Sequence, residues 1–345
     1  VPAGAYAWWY LDALSDDGQC ALVAIVFIGS VFSPYYAAAR RRAAAASTSA
    51  SASGASGPRH AGLADPLQHV AVNLALYGPG GERWAMTERN QPALQRSATQ
   101  LHIGPSGLDW DGKRLVLHID EWSLLPWPRR LRGTVTLQPL ALADGAPLAL
   151  DGAGLHQWWP IAPSARVQVD LQQPEWRWRG HGYLDSNRGQ VPLEQGFSDW
   201  QWARASLGGG HSAVVYDAWP LVPPSLGAGS GMPDEAHDKA PIHTSLALRF
   251  DASGRVEPFE APPLQRLPDT GWRMTRSQRS ASRQPPRLIR TLEDTPFYNR
   301  SLVQSEWLGL PVCAMHESLD LQRFSQRWVQ ALLPFRMPRR AQRPR

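Results

Sequence analysis

Apolar and polar residues alternate with a period of two along most of this chain, in short runs interrupted by Gly, Pro and Asp. That spacing sends successive side chains to opposite faces and predicts half-buried β-strands. Residues 7–14 and 21–29, joined by Ser15-Asp16-Asp17-Gly18, read as a β-hairpin with an Asp-Gly turn. Further strands are predicted over 70–77, 83–89, 101–103, 115–120 and 131–137. In the second half they are predicted over 199–207, 213–219, 245–250, 272–276, 288–292, 301–307 and 312–319. Many short strands without alternating amphipathic helices argue for an all-β chain, an antiparallel barrel or sandwich, and against a parallel α/β sheet. One clear helix is predicted, near the C-terminus, where Leu321, Phe324, Trp328 and Leu332 form an apolar stripe. Residues 40–62, rich in Arg, Ala, Ser and Gly, read as a surface loop with room for a helix over 37–46, and 222–241 read as a second loop.

The stretch from Leu155 to Asn187 carries the densest chemistry. On strands, His156 and Trp158 share one face, as do Tyr183 and Asp185, each pair spaced by roughly 6.5–7 Å. Trp176, Trp178, Tyr183 and Leu184 precede Asp185, so its carboxyl is a candidate for desolvation, which raises a pKa toward that of a neutral proton donor. The plainer reading is a polar turn, Asp185-Ser186-Asn187, with a solvated side chain. His156 can orient a water and Trp158 can stabilise a developing cation through its ring face, by about 0.5–2 kcal/mol. The plainer reading there is a half-buried His beside core Trp residues.

Composition sharpens the picture in places. The 345 residues suggest two domains, 16 of them are Trp, and of 35 basic residues only Lys113 and Lys239 are lysines. The net charge is +5, with five Arg and no acid in residues 336–345, a basic tail suited to an anionic membrane surface or to plain solubilisation. No basic helix or base-stacking module supports a nucleic-acid partner. Cys20 and Cys313 fit no metal or redox spacing, which makes a reducing cytoplasm the default. The apolar run 21–32 is too short to span a bilayer, and no leader pattern precedes Trp8-Trp9-Tyr10, which leaves room for a preceding stretch. His316-Glu317 lacks the second His of a zinc helix, Gly180-His181-Gly182 lacks the third Gly of a dinucleotide loop, and Gly-x-Ser-x-Gly is absent. The adjacent acids Asp120-Glu121 and Glu293-Asp294 split between strand faces and form no dyad.

Several stretches together resemble the carotenoid 1,2-hydratase (hydroxyneurosporene synthase) family. They are residues 5–13 with 15–18, 29–36, 84–89, Gly182-Tyr183-Leu184-Asp185, 293–298 and His316-Glu317-Ser318-Leu319, in the family's order. The resemblance implies two lipocalin-like antiparallel β-barrel domains, set here at 1–175 and 176–335, with the tail at 336–345. It implies addition of water across the terminal C1=C2 bond of an acyclic carotenoid, with no cofactor and no metal. The family's functional residues fall on His156, Trp158, Tyr183 and Asp185. Protonated Asp185, oriented by Tyr183, is expected to protonate the alkene, Trp158 to stabilise the cation, and His156 to steer or deprotonate the water. Trp8, Trp9, Tyr10, Trp159 and Trp178 are the expected substrate-binding residues. A location on the cytoplasmic face of the inner or intracytoplasmic membrane, in peripheral contact with lipid, follows from such a substrate. Two other readings stay open: a non-catalytic carrier of a long apolar isoprenoid, and an isoprenoid cyclase using the same acid.

Overall fold

The first hairpin forms where the alternation places it: β1 (Tyr6–Ser15) and β2 (Ala21–Ile28) pair antiparallel, and Gly18 takes the positive φ that the turn needs. The computed structural model describes residues 2–53, 64–124, 127–221 and 243–340. β3 (Val70–Tyr77) adds to β2, and β4 (Arg83–Arg89) to β3. A meander follows through β5 (Leu94–Arg96), β6 (Gln100–Ile103), β7 (Ser106–Trp110), β8 (Leu115–Ser123) and β9 (Arg129–Ala141). β10 (Leu148–Ala149) pairs with β11 (His156–Gln173), and β12 (Glu175–Gly189) runs back between β11 and β1. The second half contributes β13 (Phe197–Gly208), β14 (His211–Pro220), β15 (Thr244–Phe250) and β16 (Val256–Pro258). A two-stranded ribbon, β17 (Leu264–Arg266) with β18 (Ser277–Arg279), precedes β19 (Arg287–Asp294), β20 (Tyr298–Trp307), β21 (Leu310–Asp320) and β22 (Arg339–Arg340).

These strands make a thirteen-stranded sheet ordered β22-β4-β3-β2-β1-β12-β11-β9-β8-β7-β6-β5, with β10 beside β11, and a seven-stranded sheet ordered β16-β15-β14-β13-β21-β20-β19. The large sheet curls into a half-barrel, bringing β4 back against β8, around a core of Leu11, Leu74, Leu117, Val135, Val169 and their neighbours. Its other face packs on the small sheet through Tyr6, Trp8, Tyr10, Phe27, Trp158, Trp200 and Trp202. In place of the two separate barrels expected, the chain thus builds one curled sheet and one open sheet laid against it. β12, assigned by a boundary at 175 to the second half, is an interior strand of the first sheet. Both its faces are covered, one by each core, because hydrophobic residues flank it on either side. Between the sheets, Arg204 donates from Nε to Asp12 Oδ2 at 3.2 Å and makes a second, shorter bond through its NH2 group, with both partners buried.

Helices correct the pattern-based reading in two places. Residues 34–53 form α1 (Pro34–Ser53), longer than the helix allowed over 37–46 and reaching into the loop expected over 40–62; Pro34 suits the first helical turn, and Ser33 Oγ accepts from the Tyr36 amide at 3.0 Å. Residues 54–63, like the loop expected over 222–241, lie outside the described residues. After the short α2 (Leu193–Gly196), the single C-terminal helix expected is two, α3 (Leu321–Phe324) and α4 (Arg327–Arg336). The break at Ser325-Gln326 rotates the stripe: Leu321, Phe324, Val329 and Leu333 are buried, while Trp328 and Leu332 are half exposed. The first residues of the expected tail are also folded: Arg336 lies over the Trp84 ring, and Arg339 pairs with buried Glu88. The segment 272–276, expected as a strand, is irregular. Among the described residues no helix is long and apolar enough to cross a membrane.

Candidate active site

Period-two alternation on β1, β11 and β12 sends six of the expected residues, Trp8, Tyr10, His156, Trp158, Tyr183 and Asp185, to the face between the sheets. Tyr10 lies opposite Asp185, Asp12 opposite Tyr183 and Trp8 opposite Asn187, while Trp158 is diagonal to Asp185 across the β11–β12 ladder. Asp185 is 3 % exposed. Its Oδ2 accepts from the Trp158 indole N–H at 2.7 Å and from the Tyr183 hydroxyl at 2.8 Å, and its Oδ1 has no partner. Burial pushes this carboxyl up to about 8, against the two donors, which lower it; the charges of Glu317 and Asp12 raise it further. An acid hydrogen therefore belongs on Oδ1, since Oδ2 already accepts from a donor-only indole. The polar-turn reading of Asp185 does not hold, because Asp185 and Asn187 are buried within β12.

Asp185 opens onto a cavity of about 30 Å³ lined also by Trp8, Tyr10, Asn187, Trp200, Trp202, Tyr216 and Glu317. The rings form a continuous wall: Tyr10 meets Trp202 at 5.3 Å, Tyr183 meets Trp202 at 5.3 Å, and Trp158 meets Tyr216 at 5.5 Å. Glu317, opposite Trp202 in the small sheet, accepts at Oε1 from the Tyr10 hydroxyl and from Arg300 Nε, each at 2.7 Å. Arg300 also donates to the Tyr77 hydroxyl at 2.8 Å. Of the residues around this cavity, Asn187, Trp200, Trp202, Tyr216 and Glu317 were not expected from sequence. Trp200 and Trp202 were visible as strand alternation, and Glu317 as an acid between apolar Met315 and Leu319, but nothing in one strand shows what faces it.

His156 is buried on the same face of β11 but belongs to a neighbouring cluster. It bonds the Tyr6 hydroxyl through Nδ1 at 2.8 Å, packs on Phe197 at 4.7 Å, and burial lowers its pKa. Its Nε2 has no partner and sits over Gly196, where an added Cβ would come within 2.4 Å. Along the ladder it is four residues from the partner of Asp185, roughly 13 Å at a strand's rise. Trp9 and Trp178 pack instead on the core inside the curled sheet, and Trp159 is 40 % exposed with its N–H on the Gly145 carbonyl. These three point away from Asp185 because each lies an odd number of positions from a residue that faces it.

A second, larger cavity of about 410 Å³ lies beside the first, with a nearly apolar wall that includes Phe27, Phe32, Trp84, Met86, Phe297 and Leu333. Arg300 lines this cavity while its partner Glu317 lines the small one. The large cavity reaches the surface among Trp272, Leu332 and Phe335, all exposed. Among the described residues no group of three or more His, Cys, Asp or Glu side chains is placed to hold a metal ion. His316, beside Glu317 in sequence, faces the other way and donates from Nε2 to the Ser277 carbonyl at 2.8 Å.

The fold and site define a β-sheet protein with an apolar chamber of about 410 Å³ and, separately, a carboxyl set in an aromatic wall. Its residues 24–345 match the family model for the carotenoid hydratase CrtC. The chain is 47 % identical over 340 residues to an acyclic carotenoid 1,2-hydratase of Thiocapsa roseopersicina, covering 98 % of this chain and 74 % of that one. It is 44 % identical over 341 residues to the protein of that name in Rubrivivax gelatinosus, covering 99 % and 75 %. This chain belongs to the carotenoid hydratase family, whose members are hydro-lyases. Among solved structures it resembles a putative AttH of Nitrosomonas europaea, with a TM-score of 0.57 and 13 % identity over 91 % of each chain. It also resembles CghA bound to Sch210972, with a TM-score of 0.52 and 13 % identity over 92 % of this chain and 88 % of that one. At such identities the likeness is one of fold.

Proposed function

We propose that this protein adds water to the terminal C1=C2 bond of an acyclic carotenoid of the lycopene or neurosporene type, without a cofactor. The observation that carries the reading is the buried carboxyl of Asp185, held protonated near neutral pH with one oxygen unpartnered in an aromatic wall. Asp185 Oδ1 gives its hydrogen to C2, and the tertiary cation left at C1 is stabilised by the ring faces of Trp8, Trp200, Trp202 and Tyr216. The same rings keep bulk water away until the cation exists. One water then adds at C1, loses a proton and leaves a tertiary alcohol. Trp158 and Tyr183 orient the acid by bonding its other oxygen. A carrier of the same polyene would gain nothing from an acid buried at such electrostatic cost.

Incubation of lycopene or neurosporene in heavy-oxygen water tests the reaction. Label is expected in a 1-hydroxy product from the native protein, with a loss of 100-fold or more in Asp185→Asn. Near-normal turnover by a folded Asp185→Asn would refute the role of the acid. Bound but unchanged pigment with the native protein would favour the carrier, and a cyclised, unlabelled product the cyclase.

The apolar chamber supplies the polyene's berth, and its mouth supports delivery from a bilayer. Trp272 and Trp328 stack there with ring centroids 6.2 Å apart, Leu332 and Phe335 stand out beside them, and Phe335 is 73 % exposed. Exposed Arg273 and Arg327 flank the patch, matching an anionic lipid surface. The protein would thus work in peripheral contact with the cytoplasmic face of the membrane that holds its substrate. Removing the apolar contacts in Trp328→Ser/Phe335→Ser is expected to lower binding to phosphatidylglycerol-containing vesicles at least tenfold, given about 1.5–3 kcal/mol per buried ring. Unchanged co-sedimentation would refute this face as the contact.

A further inference from the structure

We propose that Glu317 is the base that removes the proton from the water adding to the cation. This inference rests on the hydration reading above and assigns its second half. Glu317 lines the small cavity together with Asp185, but from the opposite sheet, so the two carboxyls address one space from different walls. The Tyr10 hydroxyl and Arg300 Nε both reach Oε1, Tyr298 stands against the same carboxylate, and the water is assigned to Oε2. The ion pair with Arg300 is almost wholly buried. The two acids have contrasting surroundings: neutral donors and apolar rings at Asp185, a guanidinium at Glu317. One carboxyl among neutral donors and another held against a guanidinium, facing one cavity, can divide acid from base work. The cavity of about 30 Å³ is of a size for one or two waters. His156, the other candidate for this step, does not line the cavity and is committed to Tyr6.

The step balances without an outside reagent. The Asp185 O–H bond breaks as C2–H forms; a water lone pair then forms the C1–O bond. The departing water proton goes to Glu317 Oε2 and returns to Asp185 through the same cavity, resetting both groups. Arg300 matches the charge of Glu317 throughout.

Turnover in heavy water separates the two halves of the reaction. Glu317→Gln should still exchange deuterium into the C2 position of recovered alkene, because Asp185 can protonate and deprotonate it. Hydration by the same variant should fall 100-fold or more, the usual reach of general base catalysis. Glu317→Asp keeps the charge opposite Arg300, and should fold, bind substrate with near-native KM and show a raised ratio of exchange to hydration. Hydration by folded Glu317→Gln within threefold of native would overturn the proposal, as would an unchanged ratio in Glu317→Asp. Loss of exchange together with hydration in a folded Glu317→Gln would also overturn it, by placing Glu317 before protonation. Failure of the underlying reading looks different: Asp185→Asn would then retain both exchange and hydration.

Discussion

On the proposed mechanism Asp185 acts only while protonated, so the reaction rate should follow that fraction. Burial raises its pKa to about 8 in the folded protein, against about 4 in an unfolded chain. Rate is therefore expected to hold below pH 8 and to fall tenfold per unit above it. The same shift makes a stability contribution that is fully present at low pH and is lost as pH rises through about 8, because the folded state binds the extra proton. The Trp158 N–H favours the anion, so Trp158→Phe should move the alkaline limb upward by about one to two pH units. A limb that stays in place, or moves down, would show that this bond does not tune the acid. The trio of Asp185, Tyr183 and Trp158 was legible because two-residue spacing tells which side chains share a face. The same spacing cannot tell which cavity a face meets. That is why Trp9, Trp159 and Trp178 looked equivalent to Trp8 and Trp158, and why Glu317, contributed by a strand over a hundred residues away, did not declare its partner.

Elements met the expectations where local chemistry dominates and missed them where it does not. The opening hairpin was readable from its Asp-Gly turn, and β11 and β12 from their alternating Trp and Val residues. α1 was allowed over 37–46 but read too short because a run of Ala and Ser promises no core, although Ala is the strongest helix former and Pro34 with Ser33 supplies a start signal. The break between α3 and α4 followed no Gly or Pro and so left no mark in the sequence. Two glycines outside any turn signal matter to the site: Gly189 and Gly196 hold the space into which Tyr6 and His156 pack. Gly196→Ala would place a methyl 2.4 Å from His156 Nε2, and should cost about 1–3 kcal/mol in urea-induced unfolding. Gly152→Ala, with nothing within 4 Å, is the control and should change stability by less than about 0.5 kcal/mol. Equal effects of the two would show that His156 is not wedged as described.

At the scale of the molecule, the sheets are tied through their rings and through the buried pair of Asp12 and Arg204. Arg204→Ala leaves a carboxylate without its counter-charge, and a loss of about 3–5 kcal/mol is expected from denaturant midpoints at neutral pH. Part of it should return on acidification, when Asp12 takes up a proton. A double replacement by apolar residues of similar size should recover most of it. All-β character was legible from the count of short strands, whereas the curl of the first sheet was not, since it depends on β12 inserting between β1 and β11. The two chambers carry a last consequence. The inner one is too small for an isoprenoid end, so on the proposed reading the rings that line it must shift on entry while Arg300 and Glu317 stay paired. A long hydrocarbon held in the outer chamber would draw on remote contacts to drive that opening. Length would thereby serve as a password: short prenyl alkenes carrying the same double bond are expected to turn over far more slowly than a long polyene.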